Sequence, residues 1–327
     1  MTEGPLRIVV TRRPPGSVLE VLGRAGDVVL WPEDLAMPRA ELEAAATHAH
    51  GLYCMLTDVI DDSLLAAAPA LRVVSSMAVG VDNVDLDACT RRGIPVGHTP
   101  GVLSDTVADM AIGLLLAASR RIMEGVDYVR EGRWKTWEPD LLWGTDVHGA
   151  TVGIIGFGGV GRAVARRLTG FNCSVLAYNR TRPSPAEAPG VRFVELDHLY
   201  EAADHVVVAI ALTDETRHIV DRSAFDRMKP TATLVNISRG GTVDQAALTA
   251  ALRSGAIGAA ALDVTDPEPM SGDDPLLDLP NCVVIPHLGS STVRTRQAMA
   301  DLAARNLLAG LHGKPLVACA NPAVYEP

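Results

Sequence analysis

Thr-Val-Gly-Ile-Ile-Gly-Phe-Gly-Gly-Val-Gly, at residues 151–161, runs a short apolar strand directly into a G-x-G-x-x-G turn. An amphipathic segment follows at 162–168, and a second strand-like run at 174–178 completes a β-α-β unit. In a dinucleotide-binding turn the first glycine allows the tight turn and the second lets a pyrophosphate approach the backbone. The third lets the helix pack on the strand. The stretch therefore predicts a dinucleotide site, with a purely structural β-α-β turn as the alternative.

The predicted phosphate-binding loop consists of the three glycines and the residues between them. At the start of the following helix, backbone N–H groups have no partner within the helix and face outward, so they suit an anion. The loop residues expected to bind the cofactor are Gly156, Phe157, Gly158, Gly159, Val160 and Gly161.

The end of the second strand indicates which nicotinamide cofactor is preferred. NAD-binding folds place an acidic residue there, about twenty residues after the turn, to accept hydrogen bonds from the ribose hydroxyls. Here the strand ends in Asn179, Arg180 and Thr181, with no acid. An arginine and a hydroxyl suit a 2′-phosphate, so we expect NADPH, with NADH bound at lower affinity. The alternative is that Arg180 only covers the strand end in solvent.

Composition limits the classes of function. A chain of 327 residues is long enough for about two domains, and its net charge of −10 disfavours nucleic-acid and anionic-membrane partners. The longest apolar stretch, at 110–119, is too short to cross a bilayer, and no signal peptide is recognisable. Five widely spaced cysteines without a C-x-x-C pair indicate a reducing compartment, so a cytoplasmic protein is expected. His48 and His50 would diverge on a helix, so no metal site is expected.

Short β-branched runs alternate with helical patterns in two series. The first series predicts strands at Leu6–Thr11, Val28–Trp31, Leu52–Leu56, Val73–Met77 and Ile94–Gly97. The second series continues after the β-α-β unit with Val206–Ile210, Thr233–Ile237, Ala259–Asp263 and Val283–Ile285. Such alternation predicts an α/β protein with two doubly wound parallel-sheet domains, a Rossmann cofactor domain inserted into a flavodoxin-like substrate domain.

The position of the glycine turn sets the domain boundaries. Because the turn lies in the middle of the chain, residues 1–102 and 288–327 are expected to form the substrate domain, and residues 103–287 the dinucleotide-binding domain. One long helix is predicted from about Ser104 to Arg130, followed by an extended Trp-rich arm at Arg133–Trp143.

Three polar side chains follow consecutive predicted strands of the second series. They are Arg239, Glu268 and His287. Ligands of open α/β sheets bind beyond the carboxyl ends of the strands, so all three point toward one region. Arginine can grip a carboxylate with its planar fork, and histidine beside a carboxylate is a natural proton donor near neutral pH. The pattern suits hydride transfer to a 2-oxo acid, although each residue alone is as well explained as an ordinary surface or capping group.

The chain resembles the D-2-hydroxyacid dehydrogenase family over nearly its full length. The similar segments are Val-Gly-Val-Asp-Asn-Val-Asp (79–85), Gly-Ile-Pro-Val (93–96), Thr-Val-Ala-Asp (106–109), the glycine turn and the three segments around Arg239, Glu268 and His287. Within the family the chain is most similar to the glyoxylate/hydroxypyruvate reductase branch, through Asn-Ile-Ser-Arg-Gly (236–240) and His-Leu-Gly-Ser-Ser-Thr (287–292) among others.

The resemblance implies a role for each site residue. His287 would be the acid/base supported by Glu268, and Arg239 would bind the substrate. The substrate, a 2-oxo acid, would be reduced to a D-2-hydroxy acid. Further substrate-binding positions are the backbone of Val79 and Gly80, and the side chains of Leu56, Ser290 and Trp143. Further cofactor-binding positions are Thr106, Ala211, Thr213, Ile237, Ser238, Asp263, Gly289 and His287 itself.

The resemblance also implies a homodimer formed through the cofactor domain. The Trp-rich arm would then reach the partner's site with Leu141, Leu142 or Trp143.

Two alternatives to the function of a glyoxylate/hydroxypyruvate reductase stay open. One is another dehydrogenase of the family, of the phosphoglycerate or phosphite type, although the loops at 56–58 and 77–83 carry no basic residue for a phosphorylated substrate. The other is a nucleotide-sensing binding protein like the family's corepressors.

Overall fold

The computed structural model describes residues 5–184 and 186–326. The chain divides into two compact units, which we call the terminal unit (residues 1–103 and 291–327) and the central unit (residues 104–290). The strands are β1 Arg7–Val10, β2 Asp27–Leu30, β3 Gly51–Cys54, β4 Val73–Ser76, β5 Val96–Gly97, β6 Thr151–Ile155, β7 Ser174–Tyr178, β8 Val191–Phe193, β9 His205–Val208, β10 Thr233–Asn236, β11 Ala259–Leu262 and β12 Cys282–Val284.

Helices alternate with these strands. They are α1 Val18–Gly23, α2 Arg39–Ala46, α3 Asp62–Ala67, α4 Leu86–Arg91, α5 Ser104–Ser119, α6 Ile122–Arg130, α7 Gly159–Leu168, α8 Leu196–Ala202, α9 Arg222–Arg227, α10 Gln245–Ser254 and α11 Val293–Leu311. Among the described residues, no helix has both the length and the apolar character needed to cross a bilayer.

The terminal unit is built on a five-stranded parallel sheet in the order β2-β1-β3-β4-β5. This is the flavodoxin-like order that the sequence predicts. Strands β3 and β4 are buried along their whole length, and α11 packs against both. The sheet therefore has covered faces, as the nearly continuous apolar runs in these strands indicate.

The central unit is built on a seven-stranded parallel sheet in the order β12-β11-β10-β9-β6-β7-β8. It grows outward in both directions from β6, so the connections after β6 and β9 diverge at the switch point where doubly wound sheets bind ligands. The fold class predicted from the sequence, two parallel-sheet α/β units, is confirmed. The edge strand β8 was not predicted, because it has only three residues and an exposed arginine, Arg192, at its centre.

The predicted long helix from Ser104 to Arg130 is wrong, since the chain forms α5 and α6 with a break between them. Arg121 has a left-handed backbone with a φ of 53°. The carbonyl of Ser119 accepts a hydrogen bond from the N–H of Thr145 at 2.8 Å, so the chain returning from the Trp-rich arm occupies a carbonyl at the end of α5. A tertiary hydrogen bond thus ends a helix whose local sequence would allow it to continue.

The Trp-rich arm lies on the surface of the central unit without a helix or strand. The side chains of Trp134, Trp137 and Trp143 are 62%, 79% and 73% exposed. Helix α6, directly before the arm, has no buried residue and exposes Ile122 and Val129. The arm and α6 together form an apolar surface within the single chain.

Candidate active site

The glycine turn has the geometry that its sequence predicts. Gly156 has a φ of +93°, and a Cβ there would lie 2.6 Å from the carbonyl oxygen of Ala209. A Cβ on Gly161 would lie 2.1 Å from the carbonyl oxygen of Gly156, so helix α7 can approach β6 only with glycine at this position. A Cβ on Gly158 would meet no atom within 4 Å and would project into open space. Two of the glycines therefore serve the fold, and Gly158 leaves room above the backbone.

The start of α7 offers N–H groups at this open space. The N-cap residue of α7 is Gly158, which has no side chain to accept a hydrogen bond from the N–H groups of the first turn. Bare amides at a helix N-terminus bind phosphate through hydrogen bonds and the helix dipole. The space that a Cβ at position 158 would fill, together with these amides, fits the pyrophosphate of a dinucleotide.

The residue after Gly156 acts through its backbone. The ring of Phe157 is buried and packs edge-on against Phe193, with ring centroids 5.1 Å apart. Its N–H donates to the side-chain oxygen of Asn179 at 2.9 Å, and the Asn179 amide donates to the carbonyl of Thr181 at 2.6 Å. Asn179 therefore ties the end of β7 to the glycine turn, at the place where NAD-binding folds carry an acid.

The two arginines after Asn179 differ in their surroundings. Arg182 forms an ion pair with Glu195 at 2.5 Å. Arg180 is exposed, and its charge contributes to lowering the pKa of Glu215, although the hydrogen bond from Thr213 is the main cause. Among the described residues, Arg180 thus forms no close ion pair, and its guanidinium is exposed to solvent at the end of β7.

Three adjacent strands bring the candidate catalytic residues to one edge of the central sheet. Arg239 follows β10, Asp263 follows β11, and His287 follows β12; these strands are neighbours and all parallel. Glu268 lies in the loop between β11 and β12. Because carboxyl ends of parallel strands share an edge, the register of these strands alone places the residues together.

His287 and Glu268 form a direct pair. The Nδ1 atom of His287 lies 2.6 Å from Oε1 of Glu268, and the two side chains are 24% and 31% exposed. A carboxylate only accepts hydrogen bonds, so Nδ1 carries the proton and Nε2 is the ring atom left for proton exchange. This is the arrangement of a histidine general acid oriented by a carboxylate.

Asp263 fixes the backbone at His287. It is 2% exposed, and its two carboxylate oxygens accept the N–H groups of Leu288 at 2.6 Å and Gly289 at 2.9 Å. Burial raises the pKa of Asp263, while these two amides and the charge of His287 oppose the rise. The N–H of His287 also donates to the Asp263 carbonyl at 2.9 Å, and His287 has a φ of 53°. A Cβ at position 289 would lie 2.7 Å from the Asp263 carboxylate, so the turn requires Gly289.

The backbone at Arg239 is held by two residues, Asn236 and Thr242, that were not predicted as site residues. Its carbonyl accepts from the Asn236 amide at 2.9 Å and from the Thr242 hydroxyl at 2.7 Å. Ser238 donates through its hydroxyl to Asn236 at 2.9 Å. Asn236 is 1% exposed and follows Leu234 and Val235 at the end of β10. A polar amide directly after apolar strand residues is the signal that could have identified it.

The other predicted cofactor positions of the central unit lie as follows. Thr106 is in the first turn of α5, and Ile237 is buried directly after β10. After β9, the Ala211 carbonyl accepts from Thr216 at 2.7 Å, and the Thr213 hydroxyl donates to Glu215 at 2.7 Å.

Two predicted substrate positions also belong to the central unit. Ser290 is buried, with 7% of its surface exposed. The exposed indole of Trp143 donates to the Pro139 carbonyl at 2.9 Å, so its N–H is engaged within the arm itself.

The terminal unit carries the other predicted substrate positions after two adjacent strands. Leu56 follows β3, and Val79 with Gly80 follows β4. Val79 is 38% exposed. Among the described residues, the N–H groups of Val79 and Gly80 have no hydrogen-bond acceptor. Two neighbouring unpaired amides at an exposed loop suit a carboxylate.

A seven-stranded Rossmann sheet with a glycine turn, a His–Glu pair and an arginine at its carboxyl edge defines a nicotinamide-dependent oxidoreductase. The chain belongs to the D-isomer specific 2-hydroxyacid dehydrogenase family, whose NAD binding domain model matches residues 112–289.

Individual relatives are similar over almost the whole chain. A human protein named glyoxylate reductase/hydroxypyruvate reductase is 46% identical over 95% of this chain and 96% of its own length. A crystal structure of a Thermus thermophilus protein has a TM-score of 0.90 and 43% identity, covering 96% of this chain and 100% of that one. An NADPH-dependent glyoxylate/hydroxypyruvate reductase from Sinorhizobium meliloti, solved with NADP and malonate, has a TM-score of 0.86 and 33% identity, with 98% of each chain covered.

Proposed function

We propose that this protein reduces small 2-oxo acids, glyoxylate and hydroxypyruvate, to 2-hydroxy acids with NADPH, and that a chiral product has the D configuration. The observation that carries the proposal is the pair of His287 and Glu268 at 2.6 Å, on the sheet edge that also holds the glycine turn. Membership of the 2-hydroxyacid dehydrogenase family supports the reaction class, and the name of the human relative supports the substrates.

A reduced nicotinamide, when bound at the glycine turn, would supply the hydride for the carbonyl carbon of the substrate. The protein supplies the proton: Nε2–H of His287 donates to the carbonyl oxygen as negative charge develops there, which leaves the hydroxy acid and a neutral imidazole. The Glu268 carboxylate accepts from Nδ1–H, so it keeps the ring oriented and stabilises its charged form before the transfer.

Arg239 and the terminal unit bind the substrate in this scheme. The Arg239 guanidinium grips the carboxylate and polarises the carbonyl, and the amides of Val79 and Gly80 hold the carboxylate from their exposed loop. Leu56, Ser290 and Trp143 would contact the rest of the substrate.

The cofactor preference rests on the end of β7. Asn179, Arg180 and Thr181 replace the acid that would repel a 2′-phosphate, and the exposed Arg180 is the group that pairs with it. The complex of the Sinorhizobium meliloti relative with NADP supports this choice. The glycine turn, Thr106, Ala211, Thr213, Ile237, Ser238, Asp263 and Gly289 would contact the rest of the cofactor.

Assembly and location complete the proposal. The apolar surface of α6 and the Trp-rich arm is exposed in the single chain, so we propose a homodimer formed through the central unit, which also binds the cofactor. Leu141, Leu142 or Trp143 would then approach the partner's site. The five cysteines are free thiols, in keeping with a cytoplasmic enzyme.

The direct test is a steady-state assay of the purified protein with glyoxylate or hydroxypyruvate and each nicotinamide in turn. We expect turnover with both oxo acids, a higher kcat/KM with NADPH than with NADH, and a D product from hydroxypyruvate on chiral chromatography. The variant His287→Ala should lose at least about a hundredfold in kcat, because general acid catalysis contributes about that much. Near-native turnover of this variant, or no turnover by the wild type, would refute the proposal.

A further inference from the structure

We propose that Asn83 and Asp58 are positioning residues that fix the loop presenting the Val79 and Gly80 amides to the substrate carboxylate. The inference rests on the proposed function, and it concerns the terminal unit alone. Neither residue needs to touch the substrate: each acts on the backbone of the loops that follow β3 and β4.

Asp58 anchors the first of these loops, residues 55–58. It is 3% exposed, and its Oδ2 atom accepts the N–H of Met55 at 2.7 Å and the hydroxyl of Thr11. Burial raises the pKa of Asp58, while these hydrogen bonds and the charge of Arg12 oppose the rise. A buried carboxylate is costly unless it is hydrogen-bonded, so the loop is held where these two donors can reach it.

Asn83 links this loop to the next one, residues 77–83. Its side-chain amide donates to the carbonyl of Asp58 at 2.6 Å and to the carbonyl of Met55 at 3.2 Å. Its own carbonyl accepts from the N–H of Ile60 at 2.8 Å. One asparagine therefore crosslinks the two loops through two bonds to carbonyls of residues 55–58, and a third bond joins it to Ile60 just beyond them. An aspartate would have the same shape without the two donors.

The other end of the 77–83 loop is held through its carbonyls. Ala78 accepts from the N–H of Thr99 at 2.8 Å, and the Val79 carbonyl lies 3.0 Å from Nδ1 of His98, which must donate because a carbonyl only accepts. With its carbonyls engaged on one side, the loop leaves the N–H groups of Val79 and Gly80 without an acceptor among the described residues. Anchored at both ends, it presents two amides in a fixed direction, and such preorganisation is what binding a carboxylate through bare amides requires.

Kinetics of variants provide the first test. In Asn83→Ala and Asn83→Asp we expect KM for glyoxylate to rise about tenfold, with kcat within about threefold and KM for NADPH unchanged, because the amides hold the carboxylate equally before and during hydride transfer. Asp58→Ala should also raise KM for glyoxylate about tenfold. Asp58→Asn keeps an oxygen acceptor, so its KM for glyoxylate should stay within about threefold of the wild-type value.

Asn321 offers a matched control in the same unit. It is 5% exposed, accepts from the N–H of Val96 at 2.8 Å and donates to Ile94 and Thr90 at 3.0 Å each. Asn321→Ala should lower Tm as Asn83→Ala does but leave KM for glyoxylate unchanged. Equal KM values in Asn83→Asp and the wild type, or an equal rise in Asn321→Ala, would overturn the positioning role.

Hydrogen exchange separates this inference from the proposed function. In Asn83→Ala, the amides of residues 77–83 should exchange faster than in the wild type, and they should be unchanged in Asn321→Ala. This readout does not depend on turnover. A wild type inactive on 2-oxo acids would refute the proposed function, whereas unchanged exchange in Asn83→Ala would refute the anchoring itself.

Discussion

Replacing Glu268 with glutamine removes one charge while keeping the geometry of the pair with His287. The glutamine carbonyl can accept the same Nδ1–H bond, now 2.6 Å long, so the ring stays oriented and its tautomer is retained. A hydrogen bond to a charged group contributes about 1.5–3 kcal/mol, against about 0.5–1.5 kcal/mol for the neutral bond that glutamine keeps, so loss of the charge costs about 1–1.5 kcal/mol. The side chains of His287 and Glu268 are 24% and 31% exposed, so solvent screens the pair and keeps the cost of losing the charge this small.

A loss of about 1–1.5 kcal/mol corresponds to a kcat about 5–13 times lower. We expect this loss in Glu268→Gln with glyoxylate and NADPH at saturation, with KM for NADPH unchanged. The control is Glu201→Gln, the same change at an exposed position on α8. A kcat for Glu268→Gln within about threefold of the wild type would refute the assignment of Glu268 as the electrostatic partner of His287.

Further expectations concern the cofactor site and the fold. Arg180→Asp should raise KM for NADPH about tenfold or more and reverse the preference for NADPH over NADH, and an unchanged ratio of kcat/KM would exclude Arg180 as the phosphate partner. Gly161→Ala should destabilise the fold by about 1–3 kcal/mol in urea unfolding, since its Cβ would lie 2.1 Å from the Gly156 carbonyl oxygen. Gly158→Ala should leave stability within about 1 kcal/mol but weaken NADPH binding measured by calorimetry, because its Cβ fills open space. Burial lowers the pKa of His205 in the folded protein below its ordinary value of 6.5. As the pH falls below 6.5, His205 is therefore protonated in the unfolded chain before it is protonated in the folded protein, and the free energy of unfolding decreases. The fall in Tm between about pH 7.5 and about pH 5.5 should therefore be smaller in His205→Gln than in the wild type, and equal falls would argue against this role.

Periodic apolar patterns made most of the architecture predictable. The strand Ser174–Tyr178 was predicted with its observed bounds, and the two parallel sheets were predicted from the alternation of strand and helix patterns. The break between α5 and α6 was not predictable in this way. The sequence around Arg121 keeps a helical pattern, and the hydrogen bond from Thr145 that ends α5 comes from 26 residues beyond Ser119.

In the candidate site, too, some residues could be predicted from the sequence and others could not. His287 and Glu268 could be found because charged residues after consecutive parallel strands must share an edge. The role of Asp263 in fixing the turn at Leu288 and Gly289 could not be predicted from the sequence. This role depends on the register between β11 and β12, which only the folded sheet sets. Asn236 was overlooked although a fully buried amide at a strand end indicates hydrogen bonds to be satisfied.

The turn at His287 shows that the candidate general acid is placed by a buried carboxylate, that of Asp263. A left-handed φ of 53° is uncommon for a residue with a side chain and is maintained only when surrounding bonds determine it. Asp263 provides those bonds, with its carbonyl on the His287 N–H and its carboxylate on the next two amides. Glu268 then restrains only the ring. Because backbone and ring are held by different acids, the two can be separated by substitution: loss of the Glu268 charge should slow the proton transfer, whereas loss of the Asp263 carboxylate should displace the histidine itself.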